Sequence, residues 1–182
     1  MSSCGPNTQS LNFTHMFKSN KFTTSNKSNQ SNKNLKESNG YSKGSIMELI
    51  NSHPDFTVFA YIIKLAEMDK LLDDTNYNFT IFVPSDNELK YQSCNDILLR
   101  MDKGDARQIV LSSLIDDRIP KELLTDSPAS YFITKNPVNR IFITNINEVI
   151  KLNNNMNILI FDIIRTNGII HVVDKLIDPL KM

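Results

Sequence analysis

The segment Phe79-Thr80-Ile81-Phe82-Val83-Pro84-Ser85-Asp86-Asn87-Glu88 reads as a strand that turns straight into a helix. Its first five residues have the β-branched and aromatic content, and the length, of a buried strand. Pro84 has no N–H to give to a ladder and stops it. Ser85 with Glu88 three residues on is a capping-box pattern, a hydroxyl for an orphan amide and a carboxylate to answer it, contributing about 1 kcal/mol to helix initiation.

Working outward from that corner, Ser45-Ile46-Met47-Glu48 repeats the capping-box pattern upstream and predicts a helix that starts at Ser45 and ends before Pro54. A second helix is predicted from near Asp55, with Phe56, Phe59, Ala60, Ile63 and Ala66 on one face. A polar stretch, Asp73 to Asn78, leads into the strand. Downstream, two short helices fit Asp96 to Met101 and Asp105 to Leu114. Beyond Ile115 the texture is extended: Ser130 to Thr134, Arg140 to Thr144, Glu148 to Leu152, Asn157 to Ile164 and Gly168 to Leu176, with hairpin connections at Asn136 to Asn139 and Asn153 to Asn155. Helices first and strands later predict an α+β class with a mostly antiparallel sheet.

Two signatures then carry a family resemblance. Thr80-Ile81-Phe82-Val83-Pro84-Ser85-Asp86 is similar to the first signature of the fasciclin (FAS1) domain, and Asn167-Gly168-Ile169-Ile170-His171-Val172-Val173-Asp174, closed by Pro179, to the second. They stand in family order, and the match covers about residues 42–180. The resemblance implies a wedge of β-strands packed with several short helices. In it Thr80, Phe82, Pro84, Ser85, Asp86, Asn167, Gly168, His171, Asp174 and Pro179 have structural roles: Phe82 and Val83 in the core, Pro84 and Ser85 at the corner, Gly168 where a side chain would crowd the backbone. His171 and Asp174 stand three apart in an extended segment and so face opposite sides, which favours a structural histidine over a general base.

The family's members act mostly as adhesion modules. An Asp-Ile pair before the second signature is associated with integrin binding in matrix proteins of the family, and Asp162-Ile163 stands there in this chain. Ser112-Ser113 stands where a second adhesion-linked element has Tyr-His. The resemblance implies a non-enzymatic protein-binding or cell-adhesion module. The alternative is an intracellular or virus-particle structural protein that uses the fold without adhesion, since 22 Asn and 21 Ile suggest an AT-rich coding genome.

Charge and composition bound the remaining classes. The 182 residues carry 20 basic and 20 acidic side chains, yet the zero is a cancellation. Residues 1–44 hold six Lys and only Glu37, net +5, leaving 14 basic and 19 acidic residues, net −5, in 45–182. Ser, Thr and Asn make up 21 of the first 44 residues, too polar to offset the entropy of ordering, so 1–44 is predicted as a disordered tail before a FAS1-like domain over 45–182. An acidic domain does not favour nucleic acid. A protein partner or a cell surface is expected.

No Gly-rich phosphate loop, nucleophile elbow or His/Cys ligand spacing is present, so no enzyme activity, cofactor, metal or catalytic residue is expected. Asp73-Asp74 and Asp116-Asp117 read as polar loops. Cys4 and Cys94 offer no framework of bridges. No apolar run approaches the roughly 18 residues of a membrane span, and no secretory core follows Met1. An intracellular or particle-associated location is therefore favoured over the exported one implied by the family, and the sequons at Asn12, Asn26, Asn29 and Asn78 read as incidental.

Overall fold

The computed structural model describes residues 43–91, 98 and 100–179. The tail predicted for 1–44, the helix predicted for 96–101 and both cysteines lie wholly or largely outside these residues. Seven strands form one sheet: β1 (Phe79–Pro84), β2 (Leu114–Ile115), β3 (Ala129–Ile133), β4 (Arg140–Ile146), β5 (Val149–Leu152), β6 (Met156–Arg165) and β7 (Gly168–Val173), in the order β2-β1-β7-β6-β5-β4-β3. Every neighbouring pair is antiparallel except β1 with β7, which run parallel. The mostly antiparallel α+β fold expected from the sequence is what forms.

The parallel pair is the centre of the fold. All six residues of β1 and all six of β7 are buried, as strands covered on both faces must be. Side chains alternate, so each face serves a different core. Phe79, Ile81 and Val83, with Ile170 and Val172, meet the helical layer, in which Phe59, Ile62, Ile63 and Val110 are buried. Phe82 and Val173 point the other way, into a second cluster with Leu124, Ile141, Ile143 and Leu152 from the antiparallel half.

The helical layer is α1 (Ile46–Ser52), α2 (Thr57–Leu65), α3 (Asp69–Asp73), α4 (Asp86–Tyr91) and α5 (Lys103–Ser112), and α6 (Lys121–Thr125) lies in the chain between β2 and β3. The Ser45 hydroxyl accepts the Glu48 N–H at 3.0 Å and donates its own proton to Asp73, binding the first helix to the third. α1 stops at Ser52, ahead of Pro54, as the missing amide requires.

Four local readings are corrected. α2 starts at Thr57 instead of near Asp55, because its first amides, of Thr57 and Val58, are taken by the distant Asp86 carboxylate at 2.9 and 3.0 Å. α5 starts two residues before Asp105, because Asp102 accepts the Asp105 N–H in a reciprocal capping box, and ends at Ser112, since Leu114 pairs with β1. The predicted extended region after Ile115 is interrupted by α6, which follows Pro120. The Ser85 hydroxyl donates to Asp55 at 2.6 Å, and Asp55 accepts the Asn87 N–H, so the start of the helix after the corner is bound by a carboxylate from another part of the chain.

The hairpins fall where expected. At Asn153-Asn154 both residues have positive φ, 46° and 67°, the primed-turn geometry that asparagine tolerates. Asn147-Glu148 make a further such turn, at 51° and 66°, so Glu148, expected to open the strand to Leu152, lies in the turn and the strand starts at Val149.

Candidate functional site

Strand β6 does not pair smoothly with β7. Its register shifts between Ile158 and Ile160 and again between Ile160 and Ile163, so the chain bulges before resuming at Ile163↔Ile170. Asp162 sits in the bulge with φ of 57°, left-handed for a residue with a Cβ. That conformation is held from two other elements. The Asp162 N–H donates to His171 Nδ1 at 3.3 Å, and Asp162 Oδ1 accepts the Lys121 N–H, at the start of α6, at 2.9 Å. The opposite ring nitrogen of His171, Nε2, lies 2.9 Å from the Ile119 carbonyl.

These partners define the protonation state of His171. An amide can only donate and a carbonyl can only accept, so Nδ1 is bare and Nε2 carries the proton. The ring is fully buried between Phe82, at 5.4 Å, and the edge of Phe161, at 5.8 Å. Burial holds the imidazole below its ordinary 6.5, against the opposing pull of the Ile119 carbonyl and the Asp162 charge. A neutral histidine locked between an amide and a carbonyl is a brace.

Asp162 is half-buried, and its second oxygen accepts no hydrogen bond from a described residue. Lys121 Nζ lies 5.1 Å over the Phe161 ring beside it. Leu159 and Ile160, ahead of Asp162 in the same bulge, are about half exposed. Ile163 is half-buried and packs toward the helical core. The corner therefore presents a carboxylate edge, a lysine and two apolar side chains, while Ile163 faces partly inward.

The remaining signature residues tie elements together. Buried Thr80 donates to the Asp117 carbonyl and accepts the Ile119 N–H, each at 2.7 Å, placing the loop that carries the carbonyl facing His171. The backbone N–H of Phe82 reaches Ser113. Pro84 and Ser85 are buried at the corner, and Asp86 caps α2. Asn167 is a three-way clasp: Oδ1 accepts the Ile46 N–H at 2.8 Å, and Nδ2 donates to the Leu72 and Asp74 carbonyls. A Cβ on Gly168 would stand 2.1 Å from the Phe79 carbonyl oxygen, so strand β1 leaves no room for one. Asp174 accepts both the backbone and side-chain amides of Asn157. Pro179 follows the buried Ile177 near the end of the described chain.

Ser112 and Ser113 are both buried. The Ser112 hydroxyl accepts from the side-chain amides of Asn136 and Asn139 at 3.1 and 2.8 Å, and Ser113 donates to Ile109. Lys121 was not identified from the sequence as part of the corner. The signal for it was Pro120 followed by Lys-Glu-Leu-Leu, a proline at a helix start with good helix formers behind it. Among the described residues no group of three or more His, Cys, Asp or Glu side chains is placed to hold a metal ion. An open cleft of about 520 Å³ beside α1 and α3 is lined by Glu48, Lys64, Asp69 and Lys70, and no signature residue borders it.

Comparison with known proteins agrees with this geometry. Human periostin is 28% identical over 137 residues, which cover 74% of this chain and 16% of periostin, so the chain spans about a sixth of that protein. The solved structure of a FAS1 domain pair from the insect cell adhesion molecule Fasciclin I superposes with a TM-score of 0.62 at 25% identity, over 76% of this chain and 52% of that one. The sequence model described as the Fasciclin domain matches residues 54–179, a span that contains both strands of the central parallel pair. The chain belongs to the fasciclin domain family.

Proposed function

We propose that this domain is a non-enzymatic protein-binding module of the cell-adhesion type, with the β6 corner around Asp162-Ile163 as its contact surface. The observation that carries the proposal is the corner itself. A bulge braced by a buried histidine holds one carboxylate oxygen clear of described hydrogen-bond donors, beside the exposed Leu159 and Ile160. Apolar contact flanking an oriented carboxylate and a neighbouring lysine suits recognition of a protein surface. The insect relative is named as a cell adhesion molecule, which supports the same reading.

One observation favours the second reading, an interaction or structural role without adhesion. Ser112, at the position of the family's adhesion-linked aromatic pair, is buried and bound to Asn136 and Asn139, leaving no aromatic pair to present there. The test is attachment of cells to surfaces coated with the full chain, compared with the exposed-site variant Leu159→Ser/Ile160→Ser. Attachment that the variant loses supports the corner. No attachment to the folded wild-type chain favours the second reading.

A further inference from the structure

We infer that the β6 corner is latched by the protonation state of His171: a proton on Nδ1 frees Asp162 from the bulge, and a partner held there at neutral pH is released in mild acid. The inference rests on the reading of that corner as the contact surface, and it names what regulates it.

The latch is the hydrogen bond from the Asp162 N–H to His171 Nδ1, across to strand β7. Asp162 stands at φ of 57°, a conformation that a residue with a Cβ keeps where its surroundings impose it. Nε2 already gives its proton to the Ile119 carbonyl, so a second proton goes to Nδ1. There it meets the Asp162 N–H donor to donor, and the contact that imposed the bulge opposes it. Packing holds the ring in place between Phe82 and the edge of Phe161, and Ile119 on its far side is itself fixed by the Thr80 hydroxyl. The change therefore falls on the bulge, where the ladder with β7 is already interrupted on both sides of Ile160. Leu159 and Ile160, the apolar part of the contact surface, lie in that interrupted stretch and move with it.

The charges around the ring point the same way. Burial disfavours the protonated ring, while the Ile119 carbonyl and the Asp162 carboxylate favour it. Lys121, from α6, carries its Nζ over Phe161. Arg118 is turned to Asn78 and to the Arg165 and Thr166 carbonyls, Asp117 takes the Arg118 N–H, and Asp116 is paired with Lys135. β1 brings Thr80 and Phe82, which do not titrate. A protonated ring therefore draws in the Asp162 carboxylate, the group that the corner otherwise presents outward. Because burial holds the ring below its ordinary 6.5, the corner stays latched through the neutral range and opens as pH falls below that value. By reciprocity, a partner that fits the latched corner makes the ring harder still to protonate.

The test follows the full chain by NMR from about pH 7.5 to about pH 5, with cell attachment to coated surfaces measured across the same series. The ring of His171 should titrate below 6.5, and the amides of Asp162, Leu159 and Ile160 should shift with its midpoint, while that of Ile81 in the central strand pair stays fixed. Attachment should fall by at least about fivefold over the same interval. In His171→Gln an amide oxygen can take the Asp162 N–H and gains no proton, so attachment should hold steady across the series. Corner amides that do not follow the ring, a ring that stays neutral until the chain unfolds, wild-type attachment that is equal throughout, or the same fall in a folded glutamine variant overturns the inference. The NMR titration decides it even if that variant does not fold. Absence of attachment to the folded wild-type chain at neutral pH is a different failure, which overturns the contact surface and the release with it, whatever the amides do.

Discussion

Asp55 and Asp86 serve each other's helices across the strand-to-helix corner. The Asp86 carboxylate takes the Thr57 and Val58 amides at the start of α2, and the Asp55 carboxylate takes the Ser85 hydroxyl and the Asn87 amide at the start of α4. The Asp86 N–H closes the exchange on the Asp55 carbonyl at 2.8 Å. The first signature thereby fixes the entry of a helix some thirty residues earlier in the chain. Asp86→Ala should cost about 0.5–2 kcal/mol, since it removes the cap from the part-buried first amides of α2. In urea unfolding, the double variant with Asp55→Ala should depart from additivity by about 0.5–3 kcal/mol. Strictly additive losses would mean that the two caps work independently.

The second signature makes a comparable tie. Asn167→Ala leaves the Ile46 amide and the Leu72 and Asp74 carbonyls without their side-chain partner, an expected loss of about 1–3 kcal/mol or more. Gly168→Ala forces a Cβ against the Phe79 carbonyl and should lose at least about 1–3 kcal/mol, because the obstacle is backbone in the central strand pair. Thermal unfolding of the two variants reads both. A Gly168→Ala protein as stable as wild type would contradict the close approach of β1 and β7.

Protonation of His171 acts on the bulge. Its folded-state pKa is depressed below the ordinary 6.5 by burial, so the unfolded chain binds the proton first as pH falls. The stability contributed by the neutral ring is complete above about pH 6.5 and is lost as pH drops below it toward the folded value. A proton on Nδ1 would also face the Asp162 N–H donor to donor, releasing the bulge. Denaturant midpoints measured from pH 7.5 down to 5 should fall for the wild-type chain. In His171→Gln that part of the slope should vanish from a lower starting stability, and an unchanged slope would show that another group titrates.

Described contacts at the N-terminal side begin at Gly44, whose carbonyl accepts the Thr166 N–H and hydroxyl. Deleting residues 1–40 is therefore expected to leave the unfolding midpoint and its cooperativity unchanged. Phe82→Ala, at a ring wholly enclosed by the second core cluster, should cost about 3–5 kcal/mol. A cooperative transition lost on truncation would move the domain boundary upstream of Ser45.

The elements legible in the sequence are those whose cause is local. Phe79 to Val83 declares a strand by composition, Pro84 its end and Asn153-Asn154 a turn, and each lies where those residues put it. The five-residue α3 and α6 and the two-residue β2 are too short to show a period. Ser85 to Glu88 looks like a self-contained cap, yet the Ser85 hydroxyl goes to Asp55, thirty residues away in the chain. Nothing local marks Asp162 as left-handed either, because that conformation comes from His171 and Lys121, on two other elements. Sequence reading found Asp162 and His171 separately, and only the bulge brings them together.

Asp162→Asn separates the charge of the corner from its construction, because the amide keeps an oxygen for the Lys121 N–H and removes only the carboxylate's charge. Attachment of cells to surfaces coated with the full chain, wild type against this one variant at matched stability, is therefore the most direct test of a binding role for the β6 corner. Attachment should be clear for the wild type and fall to that of an uncoated surface for Asp162→Asn. Equal attachment of the two would contradict a contact made through Asp162.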